Sequence, residues 1–199
     1  MLYGIGELPE IVNEANGRPV FSDRHLPRFS ISYTGNIVGV ALTTEGDCGL
    51  DMELQRTVRS HDADRQNFSN NENLWVNIQH DPDEARSQLV ALRRSQLVAL
   101  RRSVLKLTGE TSTQLQLLPG SGRLRTAGSL PIEAVCDAES LLVWSIAATP
   151  NIGPLKVWEY DAKGGDWHSL ADAQRRAREP SARLMRFTSL PTEKTLSLN

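Results

Sequence analysis

A long helical run near the middle of the chain contains an eight-residue direct repeat. Acidic residues in its first turn, Lys106 near its end and Gly109 directly after it predict one α-helix over residues 83–108, with charges that suit the helix dipole. Residues 87–94 and residues 95–102 both read SQLVALRR. Eight residues of α-helix turn through about 800°, so the second copy lies about 80° around the axis from the first. The two copies therefore cannot present the same face, and one is interpreted as an insertion.

Short strands are predicted on both sides of this helix. Residues 29–33 alternate apolar with small polar side chains, residues 34–36 form a turn and residues 37–42 are aliphatic, a pattern typical of a hairpin. After the helix, residues 141–148 are the strongest buried strand. The mixture predicts an α+β fold. From Gly164 onward the chain is rich in arginine with a weak helical pattern, and we expect residues 164–199 to form a flexible tail.

Composition excludes several classes of protein. The chain has 199 residues, a net charge of -2 and 39% hydrophobic residues, which fits one compact domain or two small lobes and no nucleic-acid partner. No apolar run is long enough to span a bilayer and no leader is recognisable, which predicts a cytoplasmic protein with no membrane partner. Cys48 and Cys136 lack neighbours at ligand spacing, so neither a disulfide framework nor a zinc site is indicated.

An acidic pair is the first feature that suggests chemistry. Period two over residues 48–53 places Cys48, Leu50 and Met52 on one face of a strand, and Asp51 and Glu53 on the other. Carboxylates at i and i+2 have Cα atoms roughly 6.6 Å apart, from which both can reach one Mg²⁺ ion. The alternative is a solvated strand face that carries two ordinary acids.

Five short motifs occur in order along the chain. They are GRP at 17–19, FSISYTG at 29–35, GLDME at 49–53, FSNNE at 68–72 and SVLKLTG at 103–109. Together they resemble the 4'-phosphopantetheinyl transferase (holo-acyl-carrier-protein synthase) superfamily, over residues 7–150. That family shows a Gly-Lys/Arg-Pro turn, a Phe-Asn-Ile/Leu-Ser-His-Ser-Gly hairpin, Gly-Ile/Val-Asp-Ile-Glu, Phe-Ser-x-x-Glu, and Trp-x-x-Lys-Glu-Ser/Ala-x-x-Lys-x-x-Gly.

The resemblance implies Mg²⁺-dependent transfer of the phosphopantetheine arm from coenzyme A (CoA) to a serine of an apo acyl or peptidyl carrier protein. Asp51 and Glu53 match the family's metal-binding pair, and Lys106 matches its phosphate-steadying lysine; all three are predicted to be catalytic. The implied fold has two pseudo-equivalent lobes of sheet and helix. We expect an incomplete first lobe at residues 1–54 and a second lobe at residues 55–163.

The same resemblance predicts the residues that bind CoA. Gly17, Arg18 and Pro19 match the loop that borders the adenine, while Ser32 and Tyr33 lie where the family's strand meets the nucleotide's 3'-phosphate. Tyr33 replaces a family histidine, and packing is its alternative role.

The long helix departs from the family pattern at the third acid. The triplet 101–103 is Arg-Arg-Ser where the family has Lys-Glu-Ser, so Arg102 stands in place of glutamate, and Val98 stands in place of tryptophan. A non-catalytic relative that binds CoA or a carrier protein is therefore the alternative function. Lys106 has a second interpretation as a cation at the helix C-terminus. The helix arginines are interpreted as a solvated face or an attractive surface for acidic carrier proteins: Arg86, Arg93, Arg94, Arg101 and Arg102.

A serine or cysteine hydrolase is not supported by the sequence. No Gly-x-Ser-x-Gly elbow occurs, and the histidines fall in polar segments. These are His25, His61, His80 and His168.

Overall fold

A mixed six-stranded sheet organises the α+β fold. The computed structural model describes residues 6–55, 68–78, 84–139, 142–178 and 183–191, so His61, His80 and the end of the predicted tail lie outside the described residues. The strand order is β5-β9-β8-β12-β7-β6, and each neighbouring pair is antiparallel except β12 and β7. Its strands are β5 (Asp47–Leu54), β6 (Gln116–Leu118), β7 (Arg123–Arg125), β8 (Glu133–Glu139), β9 (Leu142–Thr149) and β12 (Met185–Thr188).

Three hairpins and three helices complete the described part of the chain. The hairpins are β1 (Ile11–Asn13) with β2 (Pro19–Phe21), β3 (Arg28–Thr34) with β4 (Ile37–Thr43), and β10 (Trp158–Asp161) with β11 (Asp166–Ser169). The helices are α1 (Asn70–Ile78), α2 (Glu84–Thr108) and α3 (Ala171–Arg178), with a 3-10 turn at Pro119–Ser121. The predicted hairpin over residues 29–42 and the predicted long helix are confirmed.

The long helix α2 packs across β5, β8 and β9, and this contact forms the main core. Leu97, Leu100 and Val104 follow one face of α2 at helical spacing and are fully buried against apolar side chains such as Val143 and Ala147 of β9. Gly109 adopts a positive φ of 67° directly after the helix, which is the predicted helix stop.

Equivalent residues of the two repeats lie on different faces of α2, as the rotation of about 80° between the copies predicts. Leu97 of the second copy is fully buried, whereas the equivalent Leu89 of the first copy is 39% exposed. Gln96 is buried and donates to the carbonyl oxygen of Arg183, whereas Gln88 is exposed. The first copy still contributes Val90 to the core, so the same eight letters bury different positions in the two copies.

The β3–β4 hairpin packs on the other side of β5 from α2. Ser30 Oγ accepts a hydrogen bond from Leu50 N at 2.9 Å, and Ser32 Oγ accepts one from Met52 N at 3.1 Å. Serine hydroxyls thus satisfy backbone donors of β5 that no strand ladder pairs, which fixes the hairpin to the sheet.

The prediction of a flexible tail from Gly164 is wrong for residues 166–178 and 185–188. β12 pairs with β8 in the sheet interior, and Phe187 is almost completely buried in the core. A four-residue strand gives a weak sequence signal, but long-range pairing and apolar burial stabilise it. The division into lobes stays a prediction; β5, at the end of the expected first lobe, pairs over its whole length with β9. Within the described residues, the helices are too short or too polar to cross a membrane.

Candidate functional site: an acidic strand facing a basic helix

The acidic pair lies between the long helix and the sheet. Gly49, Asp51 and Glu53 alternate along β5 on the side that faces α2, while Cys48 and Leu50 belong to a small cluster with β4. A Cβ atom added to Gly49 would lie 2.1 Å from the Ser103 carbonyl oxygen of α2. Only glycine allows this close backbone approach, which brings the charged side chains of α2 onto the strand.

Asp51 and Glu53 are each ion-paired with a cation of the helix. Lys106 Nζ donates to Asp51 Oδ1 at 2.9 Å and to the Leu50 carbonyl oxygen at 2.9 Å. Arg102 Nη1 donates to Glu53 Oε1. The sequence prediction that Asp51 and Glu53 share a face is therefore confirmed, and the structure brings predicted Lys106 to the same place.

Burial separates the two ion pairs. The Asp51 side chain is 6% exposed and that of Glu53 is 16% exposed, whereas Lys106 and Arg102 are 39% and 52% exposed. Desolvation by burial raises the pKa of Asp51, while the hydrogen bond and charge of Lys106 and the charge of Arg102 oppose that rise. Asp51 Oδ2 is buried and has no hydrogen-bond partner among the residues that the structure describes. The two carboxylates of β5 are thus largely shielded from solvent, whereas the two cationic side chains of α2 are partly exposed to it.

The alternative interpretation of the pair as a solvated face is wrong for Asp51, since helix α2 covers that face of β5. The arrangement also does not fit Mg²⁺ as folded. Both carboxylates already have cationic partners, and the described residues contain no group of three His, Cys, Asp or Glu side chains that converge on one point. Arg102 lies where the resemblance predicts a third acid. We therefore derive no reaction step through a metal.

A second buried ion pair fixes the orientation of α2. Ser69 and Glu72 form a capping box at the start of α1, in which Ser69 N donates to Glu72 Oε2 at 2.7 Å. Arg101 Nη2 donates to the same carboxylate, and Arg101 Nη1 donates to the Leu115 carbonyl oxygen at 3.2 Å. The interpretation of the helix arginines as a solvated face is wrong for Arg101, because that side chain is buried against α1. The side chain of Arg86 lies outside the described residues.

The predicted adenine loop caps the β1–β2 hairpin. Gly17 has a positive φ of 81° in the turn, and Pro19 pairs with Asn13. Arg18 turns back to the sheet, where it contacts the Asp47 carboxylate and the Cys48 carbonyl oxygen. Arg18 therefore holds the β1–β2 hairpin against the start of β5.

Ser32 and Tyr33 point to opposite sides of β3. Ser32 is buried with its hydroxyl bonded to β5, whereas Tyr33 is 78% exposed. Ser32 thus contacts the backbone of Met52, between Asp51 and Glu53, and its hydroxyl serves to hold β3 against β5. The packing role considered for Tyr33 is wrong, because an exposed ring contributes little core.

A cavity of about 750 Å³ lies beside the β1–β2 hairpin, and none of the site residues predicted from the sequence lines it. Arg24, His25 and Arg28 line it on one side, and Thr43 and Gly46 of the β4–β5 turn line another. Arg28 is held by Glu14 at 2.7 Å, a hydrogen bond that raises its pKa. Among the described residues, the side chains of Arg24 and His25 have no polar partner. The adjacent arginine and histidine at residues 24 and 25, between two strands, were the available sequence signal.

Comparison with known proteins identifies relatives without a defined activity. The chain is 57% identical over 207 residues to "Uncharacterized protein YieE" of Escherichia coli strain K12, and equally to the protein of that name from E. coli O6:H1 strain CFT073. Each alignment covers all of this chain and 80% of the relative. No family model matches the sequence, so the resemblance to phosphopantetheinyl transferases stays a prediction. At this identity and coverage, the chain belongs to the YieE protein family.

Proposed function

We propose that this protein is a CoA-binding relative of the 4'-phosphopantetheinyl transferases that binds the nucleotide end of CoA without a divalent ion. The observation that carries the proposal is the cavity beside the β1–β2 hairpin, which has Arg24 and Arg28 in its lining. The resemblance assigns only the turn of this hairpin, at residues 17–19, to CoA. The specific transferase-like fold is part of this proposal.

The size and charge of the cavity support a nucleotide ligand. A volume of about 750 Å³ falls within the usual range of small-molecule sites. Arg24 and His25 supply donors that no described side chain satisfies, and CoA carries a 3'-phosphate and a diphosphate that accept such bonds. Arg28 is already bonded to Glu14, so Arg24 is the principal free cation of the lining.

The distance from the cavity to the acidic pair suits an extended ligand. Gly46 lines the cavity, and Asp51 follows five positions later along β5, which is about 17 Å at the rise of a strand. A molecule built like CoA, with a nucleotide at one end and a long flexible arm, can cover that distance.

Calorimetry with CoA in EDTA tests the proposal. We expect saturable binding, weaker binding of 3'-dephospho-CoA, and a roughly tenfold or greater loss in an Arg24→Ala variant, since a charged hydrogen bond contributes about 1.5–3 kcal/mol. Arg125→Ala is the matched control, because Arg125 is an exposed arginine on β7, away from the cavity lining. Absence of CoA binding at millimolar concentration, or equal effects of the two variants, contradicts the proposal.

Transfer of the phosphopantetheine arm to a carrier protein is the second candidate function. One observation favours it: Asp51 and Glu53 share a face with Lys106, and one buried oxygen of Asp51 lacks a partner among the described residues. Arg102 is half-exposed, so its ion pair with Glu53 is open to solvent on the helix side only.

A mass measurement separates the two functions. The protein is mixed with an apo acyl carrier protein, CoA and Mg²⁺, and the carrier is analysed for the phosphopantetheine increment. Binding of CoA without any increment supports the binding function, and an increment that disappears in EDTA supports transfer. A cytoplasmic location and the carrier-protein partner are parts of this second proposal.

A further inference from the structure

We infer that α2 supplies the counter-cations of the Asp51–Glu53 pair from within the chain, and that Arg102 is the residue that excludes a divalent metal from this site. This inference concerns the acidic pair alone and does not depend on whether CoA binds in the cavity.

The helix and the strand are matched in spacing. Arg102 and Lys106 are four residues apart on α2, which is about 6 Å along the axis. Asp51 and Glu53 are two residues apart on β5, which is about 6.6 Å. The helix runs antiparallel to the strand at this contact, so Arg102 meets Glu53 and Lys106 meets Asp51. Two cations therefore reach two carboxylates without displacement of either backbone.

The backbone fixes this spacing. Gly49 lies against the Ser103 carbonyl oxygen and the Leu107 amide of α2. Ser103 Oγ also lies 2.9 Å from Ser145 Oγ on β9, the strand that pairs with β5. Arg102 directly precedes Ser103, so the backbone of Arg102 is held in a fixed position beside Glu53.

The charge balance explains why a metal is excluded. Asp51, Glu53, Lys106 and Arg102 together carry no net charge, so the site does not attract a divalent ion. Glutamate at position 102 would change the local charge by two units and add a third carboxylate beside Glu53, which is a ligand set that Mg²⁺ and Mn²⁺ prefer. The side chain at position 102 thus determines whether the acidic pair is neutralised by cations of the chain or can bind a metal ion.

Manganese titration of purified protein tests the inference, with calorimetry and Mn²⁺ electron paramagnetic resonance as readouts. We expect no binding by the natural protein at millimolar Mn²⁺ and binding by Arg102→Glu that is at least about a hundredfold tighter, because reversal of a nearby charge has a large Coulombic effect. The gain should be lost in Arg102→Glu combined with Asp51→Asn.

Two further variants serve as controls. Arg102→Gln removes the charge without adding a ligand, and we expect at most weak Mn²⁺ binding. Arg125→Glu makes the same charge reversal on β7, and we expect no binding. The inference is overturned if the natural protein binds Mn²⁺ as tightly as Arg102→Glu, or if a folded Arg102→Glu variant, verified by circular dichroism, gains nothing over Arg125→Glu.

Discussion

Substitution of Gly49 by alanine tests whether the close approach of α2 to β5 builds the site. The added Cβ would lie 2.1 Å from the Ser103 carbonyl oxygen and 2.8 Å from the Leu107 amide nitrogen, both of them backbone atoms. Ordinary carbon contacts begin near 3.5 Å, so the helix must move away by about 1.4 Å. A gap of about 1 Å already forfeits about half of the dispersion energy at the contacts that it opens.

The expected cost lies at the upper end of overpacking effects. We expect the Gly49→Ala variant to lose about 3 kcal/mol of unfolding free energy, and its melting temperature to fall by about 6–12 °C for a chain of this length. The same shift lengthens the contacts of Arg102 and Lys106 with the strand. Thermal and urea unfolding followed by circular dichroism measure both quantities.

Two glycines provide graded controls. At Gly39 the nearest atom to an added Cβ is Met52 Sδ at 2.8 Å, on a flexible side chain that can move, so Gly39→Ala should cost much less. At Gly120 nothing lies within 4 Å, and Gly120→Ala should be almost neutral. A Gly49→Ala protein that melts within 1 °C of the Gly120→Ala protein, about the size of measurement error, refutes the close helix approach.

Two buried acids give further predictions. The pKa of Asp51 is raised from its ordinary value of 3.8 by burial, so folding favours the protonated form, and the unfolding free energy of the natural protein should fall relative to Asp51→Asn as the pH rises above about 3.8. Urea titrations of both proteins from below pH 3.8 to neutral pH measure that difference; a constant difference contradicts the raised pKa. Glu72→Gln should lose about 3 kcal/mol, because it leaves the Arg101 guanidinium buried without its counter-ion. Chemical denaturation measures this loss of unfolding free energy, with Asn71→Ala, at an exposed position of the same helix, as the control. Equal losses in the two variants would show that the buried ion pair contributes nothing.

The elements that follow from local patterns were predictable. The turn at residues 34–36, the alternation along β5 and the charges at the ends of α2 predict structure because each depends on neighbours within a few residues. The tail was wrongly predicted because β12 has only four residues, and its burial depends on β8, about fifty residues earlier in the chain. The residues around β12 therefore do not indicate that it pairs with β8.

The candidate site also has a part that the local sequence predicts and a part that it does not. The sequence alone determined that Asp51 and Glu53 share one face of a strand, because backbone geometry fixes a period of two. It also determined that a cation stands at position 102 in place of an acid. Only the tertiary structure decided that Arg102 meets Glu53 and Lys106 meets Asp51, since that register depends on how closely α2 can approach Gly49. A side-chain period is local, whereas the register between a helix and a strand is set by packing across the whole core.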